Sequence, residues 1–341
     1  MSNNLLNKLN IIAEIGQGHD GNLTLAHSYI DAVHKSGVSA IKFQIHIADY
    51  ESSAIDKFRV RKKYIYDKSR FDYWKRTEFN LAQWAELKNH AEKLGLIFLC
   101  SPFSLKAVDI LKKINIKAWK IGSGELNNFP LIEKISKTNK PIILSTGLSN
   151  FSEINDAVNL VNNFHKNIAI MQCTSLYPCP KNLIGLNVIK DLKERYKFKV
   201  GFSDHSGNPL TSLAAKSLGA DFVEVHVVFN KNIIGFDTES SITIEQLKEL
   251  KNHFSYLDEI LKYKNNKNII PAKLKKNKKL FEKSIFLKKN IISGKKIKFN
   301  DLDFRKPANG ILARDFRLII GKKIKKSKRK GSFLKKNDIL I

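Results

Sequence analysis

Eight short apolar segments recur along residues 11–262, each running into polar residues and then into a stretch with helical spacing. They are Ile11–Ile15, Ala40–Gln44, Ile97–Leu99, Ala118–Ile121, Ile142–Ser145, Ala169–Cys173, Val200–Phe202 and Phe222–Val225. Strands that are apolar throughout, rather than alternating, are covered on both faces, as in a parallel sheet. Eight of them alternating with helices predict an α/β fold, a (β/α)₈ TIM barrel. The intervening stretches support this. Leu25, Tyr29 and Val33 repeat at helical spacing beside Ala26 and Ile30. Asn208 and Pro209 read as the cap and first residue of a helix that ends near Gly219. Thr243 and Gln246 form a capping-box pattern.

The barrel is expected over 1–262. The longest insertion, Ala48 to Phe79, carries Tyr64, Tyr66, Phe71, Tyr73 and Trp74 and reads as a lid. Residues 263–280 are rich in Lys and Asn and read as a linker. Residues 281–341 break short apolar runs with Gly294, Gly310, Gly321 and Gly331, the pattern of a small β-rich domain.

A net charge of +28 raises the question of nucleic acid. Residues 262–341 hold 27 Lys/Arg against 5 Asp/Glu, so the excess sits in the last quarter. No aromatic residues interleave the lysine runs as a base-stacking platform requires, which argues against nucleic acid. No stretch is long and apolar enough to span a membrane, and the first ten residues lack a secretory pattern. Cys100, Cys173 and Cys179 are too few for a disulfide framework. A cytoplasmic protein is expected.

In a parallel barrel the active site lies at the C-terminal ends of the strands. Polar residues stand at all eight: Glu14; Lys42 and Gln44; Ser101; Lys120, Ser123 and Glu125; Ser145; Thr174, Ser175 and Tyr177; Ser203 and His205; Glu224 and His226. Lys42 and Lys120 with Ser101, Ser123, Ser145 and Ser203 suit a phosphate plus a carboxylate. One histidine at such a place is more often structural. Two on adjacent strands, His205 and His226, suit a divalent metal with open positions. Glu14 is the best-placed carboxylate for proton transfer.

The stretches AEIGQGHDG (13–21), AIKFQIH (40–46), SPFS (101–104), KIGSGELNNFPLI (120–132), KPIILSTGLS (140–149), QCTSLYPCP (172–180), VGFSDHSG (200–207) and VEVHVVF (223–229) resemble the sialic acid synthase family, which includes legionaminate and pseudaminate synthases. FRKPANGI (304–311) with IIGK (319–322) resembles the family's antifreeze-like (SAF) C-terminal domain. The resemblance implies condensation of phosphoenolpyruvate with N-acetylmannosamine, or a related N-acylated amino sugar, to an N-acetylneuraminate-type acid plus phosphate. Legionaminate or pseudaminate synthesis from a diacetylated trideoxyhexose is the nearest alternative. A non-catalytic protein that binds anionic polymers is a remote one, against which the intact polar ring speaks.

By motif match, phosphoenolpyruvate falls to Lys42, Gln44, Ser101, Lys120, Ser123, Ser145 and Ser203, and the sugar to Glu125, Tyr177 and Asp237. Mn²⁺, Mg²⁺ or a similar ion falls to His205 and His226, and acid–base work to Glu14. The resemblance also implies a homodimer whose C-terminal domain covers the partner's active site. There an arginine of some members is replaced by Lys306, which cannot reproduce a planar two-pronged contact. Two further departures are Ser175, where some members have Asn, and IIGFDTESS (233–241), which lacks a Pro-Gly-Pro common in the family.

Overall fold

The computed structural model describes residues 5–53, 55–58 and 66–340. The chain divides into two units, residues 1–262 and 263–341.

The first unit contains eight parallel strands: β1 (Ile11–Gly16), β2 (Ala40–Ile45), β3 (Ile97–Pro102), β4 (Trp119–Ile121), β5 (Ile142–Ser145), β6 (Ile168–Gln172), β7 (Lys199–Asp204) and β8 (Phe222–Val228). Their order is β3-β2-β1-β8-β7-β6-β5-β4, so β1 and β8 close the ring through pairs such as Glu14 with His226. No ladder joins β3 to the three-residue β4 among the described residues. The result is a nearly closed TIM-type barrel. A ninth strand, β9 (Ser241–Thr243), adds to β8 outside the ring.

Period-two alternation separates two cores. Outward-facing Ile11, Ala13, Ile15, Ile41, Phe43, Ile45, Val223, Val225 and Val227 pack with the helices, including Ala26, Tyr29, Ile30 and Val33 of helix Leu23–Ser36. Inward-facing Ile12, Ala40, Leu99, Ala118, Ile143, Ala169, Met171 and Phe222 form a second cluster, joined by Leu6 and Leu9 from the chain start. Burying each large aliphatic side chain there stabilises the barrel by about 1.5–3 kcal/mol.

Local signals place the helices. Asn208 accepts from Leu210 N–H at 3.0 Å before helix Pro209–Ser217. Thr243 and Gln246 exchange capping bonds of 3.2 and 2.9 Å. The insertion after β2 holds two helices, Ala48–Glu51 and Arg70–Thr77, whose Ala48, Tyr73 and Trp74 form a small cluster with Phe58, Phe71 and Phe236. Tyr64 lies outside the described residues.

In the second unit, β10 (Ser284–Leu287) pairs antiparallel with β11 (Leu302–Arg305). Ile285, Leu287, Ile291, Ile297, Leu302, Ile311, Ile319, Ile324 and Leu334 make its core. The stretch expected as a linker contains helix Ala272–Phe281, which has no buried residue. Its lysines fall on all sides, so helical propensity was present but no apolar stripe revealed it. No helix among the described residues is long and apolar enough to cross a membrane.

Candidate active site

Two residues beyond the inward apolar layer, the same strands turn polar. Ile12 is followed by Glu14, Ala40 by Lys42, Leu99 by Ser101, Ala118 by Lys120, Ile143 by Ser145 and Phe222 by Glu224. These side chains point into one cavity, or stand directly behind its wall, at the C-terminal end of the barrel. The cavity measures about 390 Å³, within the usual range for small-molecule sites.

Two buried ammonium groups dominate its floor. Lys42 Nζ lies 2.7 Å from Glu14 Oε2 and 3.5 Å from Glu224 Oε1. Lys120 Nζ lies 3.4 Å from the same Glu224 oxygen and donates to Ser145 Oγ at 2.6 Å. Lys42 also donates to Ser101 Oγ at 3.4 Å, and Ser203 Oγ donates to Glu224 at 3.3 Å. Burial disfavours both cations, with unequal results. For Lys42, Glu14 and Glu224 together outweigh burial and hold its pKa above the usual lysine value. For Lys120, burial outweighs the attraction of Glu224, Lys42 repels it, and its pKa falls. Burial would raise the Glu224 carboxyl, but Lys120 and Lys42 hold it below the usual range.

Glu14 is fully buried and does not line the cavity; it stands behind Lys42 and Gln44, accepting from Gln44 Nε2 at 2.6 Å. Gln44 Oε1 is 3.1 Å from His46 Nε2, and His46 Nδ1 is 2.7 Å from Glu51. The His46 ring is clamped between Trp74 (centroids 3.7 Å) and Phe103 (4.4 Å), and the Arg70 guanidinium lies over the Trp74 ring at 5.2 Å.

On the opposite wall His205 and His226 have ring centroids 5.5 Å apart. Tyr177 stacks on His205 at 4.1 Å and meets His226 edge-on at 5.7 Å. His205 Nδ1–H donates to Thr174 O at 2.7 Å, which leaves Nε2 with its lone pair, 3.4 Å from Ser203 Oγ. Burial, with His226 adding to it, lowers the His205 pKa to about 3, so the ring is neutral. His226 Nδ1 is buried without a hydrogen-bond partner, 3.7 Å from Asp237 Oδ2. A Cβ on Gly16, whose φ is +52°, would come within 2.9 Å of that Asp237 oxygen and 3.4 Å of the His226 ring. A neutral imidazole oriented by a carbonyl, an orphaned second imidazole nitrogen and a nearby carboxylate fit a divalent ion. No group of three or more His, Cys, Asp or Glu side chains is arranged as a metal cage among the described residues.

A third wall is a cup of small donors. Ser123 Oγ is 3.1 Å from Cys173 Sγ and accepts from Gly147 N–H at 3.0 Å. A Cβ at Gly147 would fall 2.5 Å from Ser175 Oγ and 2.6 Å from Cys173 Sγ, so only glycine leaves this cup open.

The structure therefore brings Lys42, Gln44, Ser101, Lys120, Ser123, Ser145, Ser203, Tyr177, Asp237, His205 and His226 to one cavity. Glu125 does not line it; its carboxylate accepts from Asn128 Nδ2 at 2.7 Å. Lys306 belongs to the second unit, with its ammonium 4.9 Å from the Phe281 ring. Sequence reasoning placed Glu224 at a strand end but gave it no task. It passed over Gln17, His46, Phe103, Arg70 and Phe236, which line the cavity, and named Trp74, which also lines it, only as part of a lid. His46 had a signal, since it continues the alternation Lys42, Gln44, His46. For Tyr73 and Trp74 the signal was the aromatic content of the long insertion, which reads as a lid without assigning either residue a contact.

Both units have counterparts among known proteins. Residues 29–266 match the NeuB family model, and residues 282–340 match the SAF domain. The N,N'-diacetyllegionaminic acid synthase of Campylobacter jejuni is 36% identical over 93% of this chain and 96% of its own. The human N-acetylneuraminate-9-phosphate synthase is 30% identical over 83% and 79%. The crystal structure of N-acetylneuraminic acid synthetase from Leptospira borgpetersenii, in complex with citrate, superposes with a TM-score of 0.69. It is 28% identical and covers 80% of this chain and 90% of its own. With the family model matching more than two thirds of its length and the SAF domain following, the chain belongs to the NeuB family.

Proposed function

We propose that the protein condenses phosphoenolpyruvate with an N-acylated amino sugar, releasing phosphate and forming a nonulosonic acid. The observation that carries this reading is the pair of buried ammonium groups, Lys42 and Lys120, each with a seryl hydroxyl beside it, facing a cavity of substrate size. An unpaired anion could not occupy such a place without them. Ser123, its oxygen held by the backbone N–H of Gly147, would add a neutral donor for phosphate.

The reaction needs the open-chain sugar. C3 of the enolpyruvyl group attacks the aldehyde carbon, the cation left at C2 takes water, and phosphate departs by C–O cleavage. Lys42 and Lys120 balance the carboxylate and phosphate charge and orient the reactant. A divalent ion such as Mn²⁺ or Mg²⁺, held by His205 and His226, would supply Lewis-acid polarisation of the sugar carbonyl. Glu14 would take or return a proton through Lys42, its partner at 2.7 Å. Replacing Glu14 with Gln keeps an acceptor for Lys42 but removes the proton carrier. Phosphate release should fall by about 10²–10⁴-fold; wild-type turnover would remove Glu14 from the chemistry.

Tyr177 and Asp237 face the sugar side of the cavity, and Glu125 is placed there by motif alone. The wall of Phe58, Tyr73, Trp74 and Phe236 favours a second, narrower reading. Aromatic faces suit a sugar carrying a methyl group in place of a hydroxyl, so a diacetamido-trideoxyhexose would be preferred over N-acetylmannosamine. The 36% identity to a diacetyllegionaminic acid synthase points the same way. Competition between the two sugars in one assay, read by product mass, decides it.

We further propose a homodimer in which Lys306 of the SAF domain serves the partner's sugar site. A chain ending at Lys262 should then fold and lose most activity; unchanged kinetics would count against the cross-chain role. The three cysteines are free and buried, which suits a reducing compartment, and we place the protein in the cytoplasm.

A further inference from the structure

On the outside of the barrel, helices Leu23–Ser36 and Leu81–Lys93 lie against each other. Each carries a histidine and a carboxylate four residues apart, His27 with Asp31 and Glu86 with His90. That spacing puts both side chains on one helical face. The two faces meet. His27 Nδ1 and His90 Nδ1 are 2.8 Å apart. His27 Nε2 lies 3.1 Å from Glu86, and His90 Nε2 lies 3.0 Å from Asp31. Each histidine is thus held by the carboxylate of the opposite helix.

Counting hydrogens shows why this is more than a pair of ion pairs. A carboxylate only accepts, so the His27 Nε2 that bonds Glu86 carries hydrogen, and in a neutral ring its Nδ1 is then a bare lone pair. Nδ1 atoms 2.8 Å apart repel unless something positive lies between them. A single hydrogen can do so, and so can a metal cation. A metal-bound histidine commonly donates its other N–H to a carboxylate, as His27 does to Glu86, and His90 Nε2 lies 3.0 Å from Asp31. With metal–nitrogen bonds of about 2.0–2.1 Å and a tetrahedral angle, the nitrogens would stand roughly 3.4 Å apart. The rings need part only slightly. Their side chains are 23% and 26% exposed, so an ion can reach them from water. Without an ion the Nδ1 contact is a hydrogen bond in which one ring supplies the hydrogen, and that hydrogen is what a cation would replace.

We propose that His27 and His90 form a second metal site, which takes a borderline divalent cation such as Zn²⁺ through paired Nδ1 atoms and ties the two helices together. Because no third His, Cys, Asp or Glu ligand joins them among the described residues, water fills the remaining positions. Imidazole pairs favour Zn²⁺, Ni²⁺ or Cu²⁺ over Mg²⁺. Neither residue lines the catalytic cavity, so the site stands independently of the reaction.

Calorimetric titration of the ion-free full chain with Zn²⁺ tests this, alongside H27N and H90N. Each variant should bind one equivalent fewer than the wild type while its phosphate release is unchanged. E86Q should keep the stoichiometry and weaken that equivalent by about tenfold or more. Melting curves without zinc verify that the variants fold. Equal zinc stoichiometry and affinity in the wild type, H27N and H90N would overturn the proposal, as would a wild type that binds no zinc.

Discussion

Inside the barrel, two layers of side chains lie two residues apart on the same strands and do opposite work. The lower layer, with Ile12, Leu99, Ile143, Met171 and Phe222, is apolar and closed by Leu6 and Leu9. The upper layer, with Glu14, Ser101, Ser145 and Glu224, is polar and as deeply buried. Apolar burial stabilises the fold directly. Buried charge costs desolvation that pairing only partly offsets, so the upper layer is retained for what it binds. Stability and activity should therefore separate along a distance of two residues.

The largest expected effect is in the upper layer. Lys120→Met removes an ammonium while leaving Glu224 paired with Lys42. The kcat/KM for phosphoenolpyruvate should fall by about 10²–10³-fold, with little change in melting temperature. A large loss of stability instead would mean that Lys120 holds the fold. Ile143→Ala, its counterpart below, should cost about 2–5 kcal/mol in denaturant unfolding and leave the kcat/KM of the folded protein near wild type. A strong kinetic defect there would break the division. The smallest effect is on the alkaline side. Lys120 is pulled below lysine's usual 10.5, so its ammonium is lost early and kcat/KM should decline before that pH. Stability should not decline with it on Lys120's account. A group whose folded pKa is lowered binds its proton less well when folded, so losing the proton relieves a burial cost.

The layers were not equally legible. The lower layer and the strand order followed from apolar runs, because such runs fit only a sheet covered on both faces. Lys42, Lys120, His205 and His226 were readable as strand-end residues. Strand ends were less so: β3 and β8 run to Pro102 and Val228, since polar Ser101 and His226 continue the ladder that an apolar criterion cuts short. Glu224 could be assigned a task only once both lysines were seen to meet one of its oxygens. The clamp on His46 stayed hidden because Trp74 arrives from an insertion about thirty residues later, with no periodicity linking them. The His27–His90 pair needed two helices in register, which neither helix encodes alone.

The most direct test of the central claim is the mass of the product formed from phosphoenolpyruvate and each candidate sugar, with phosphate measured in parallel. The two-lysine cavity predicts phosphate release that requires both substrates, and an acid whose mass equals sugar plus phosphoenolpyruvate plus water minus phosphate. Phosphate released without sugar, or no joined product with either sugar, would contradict it.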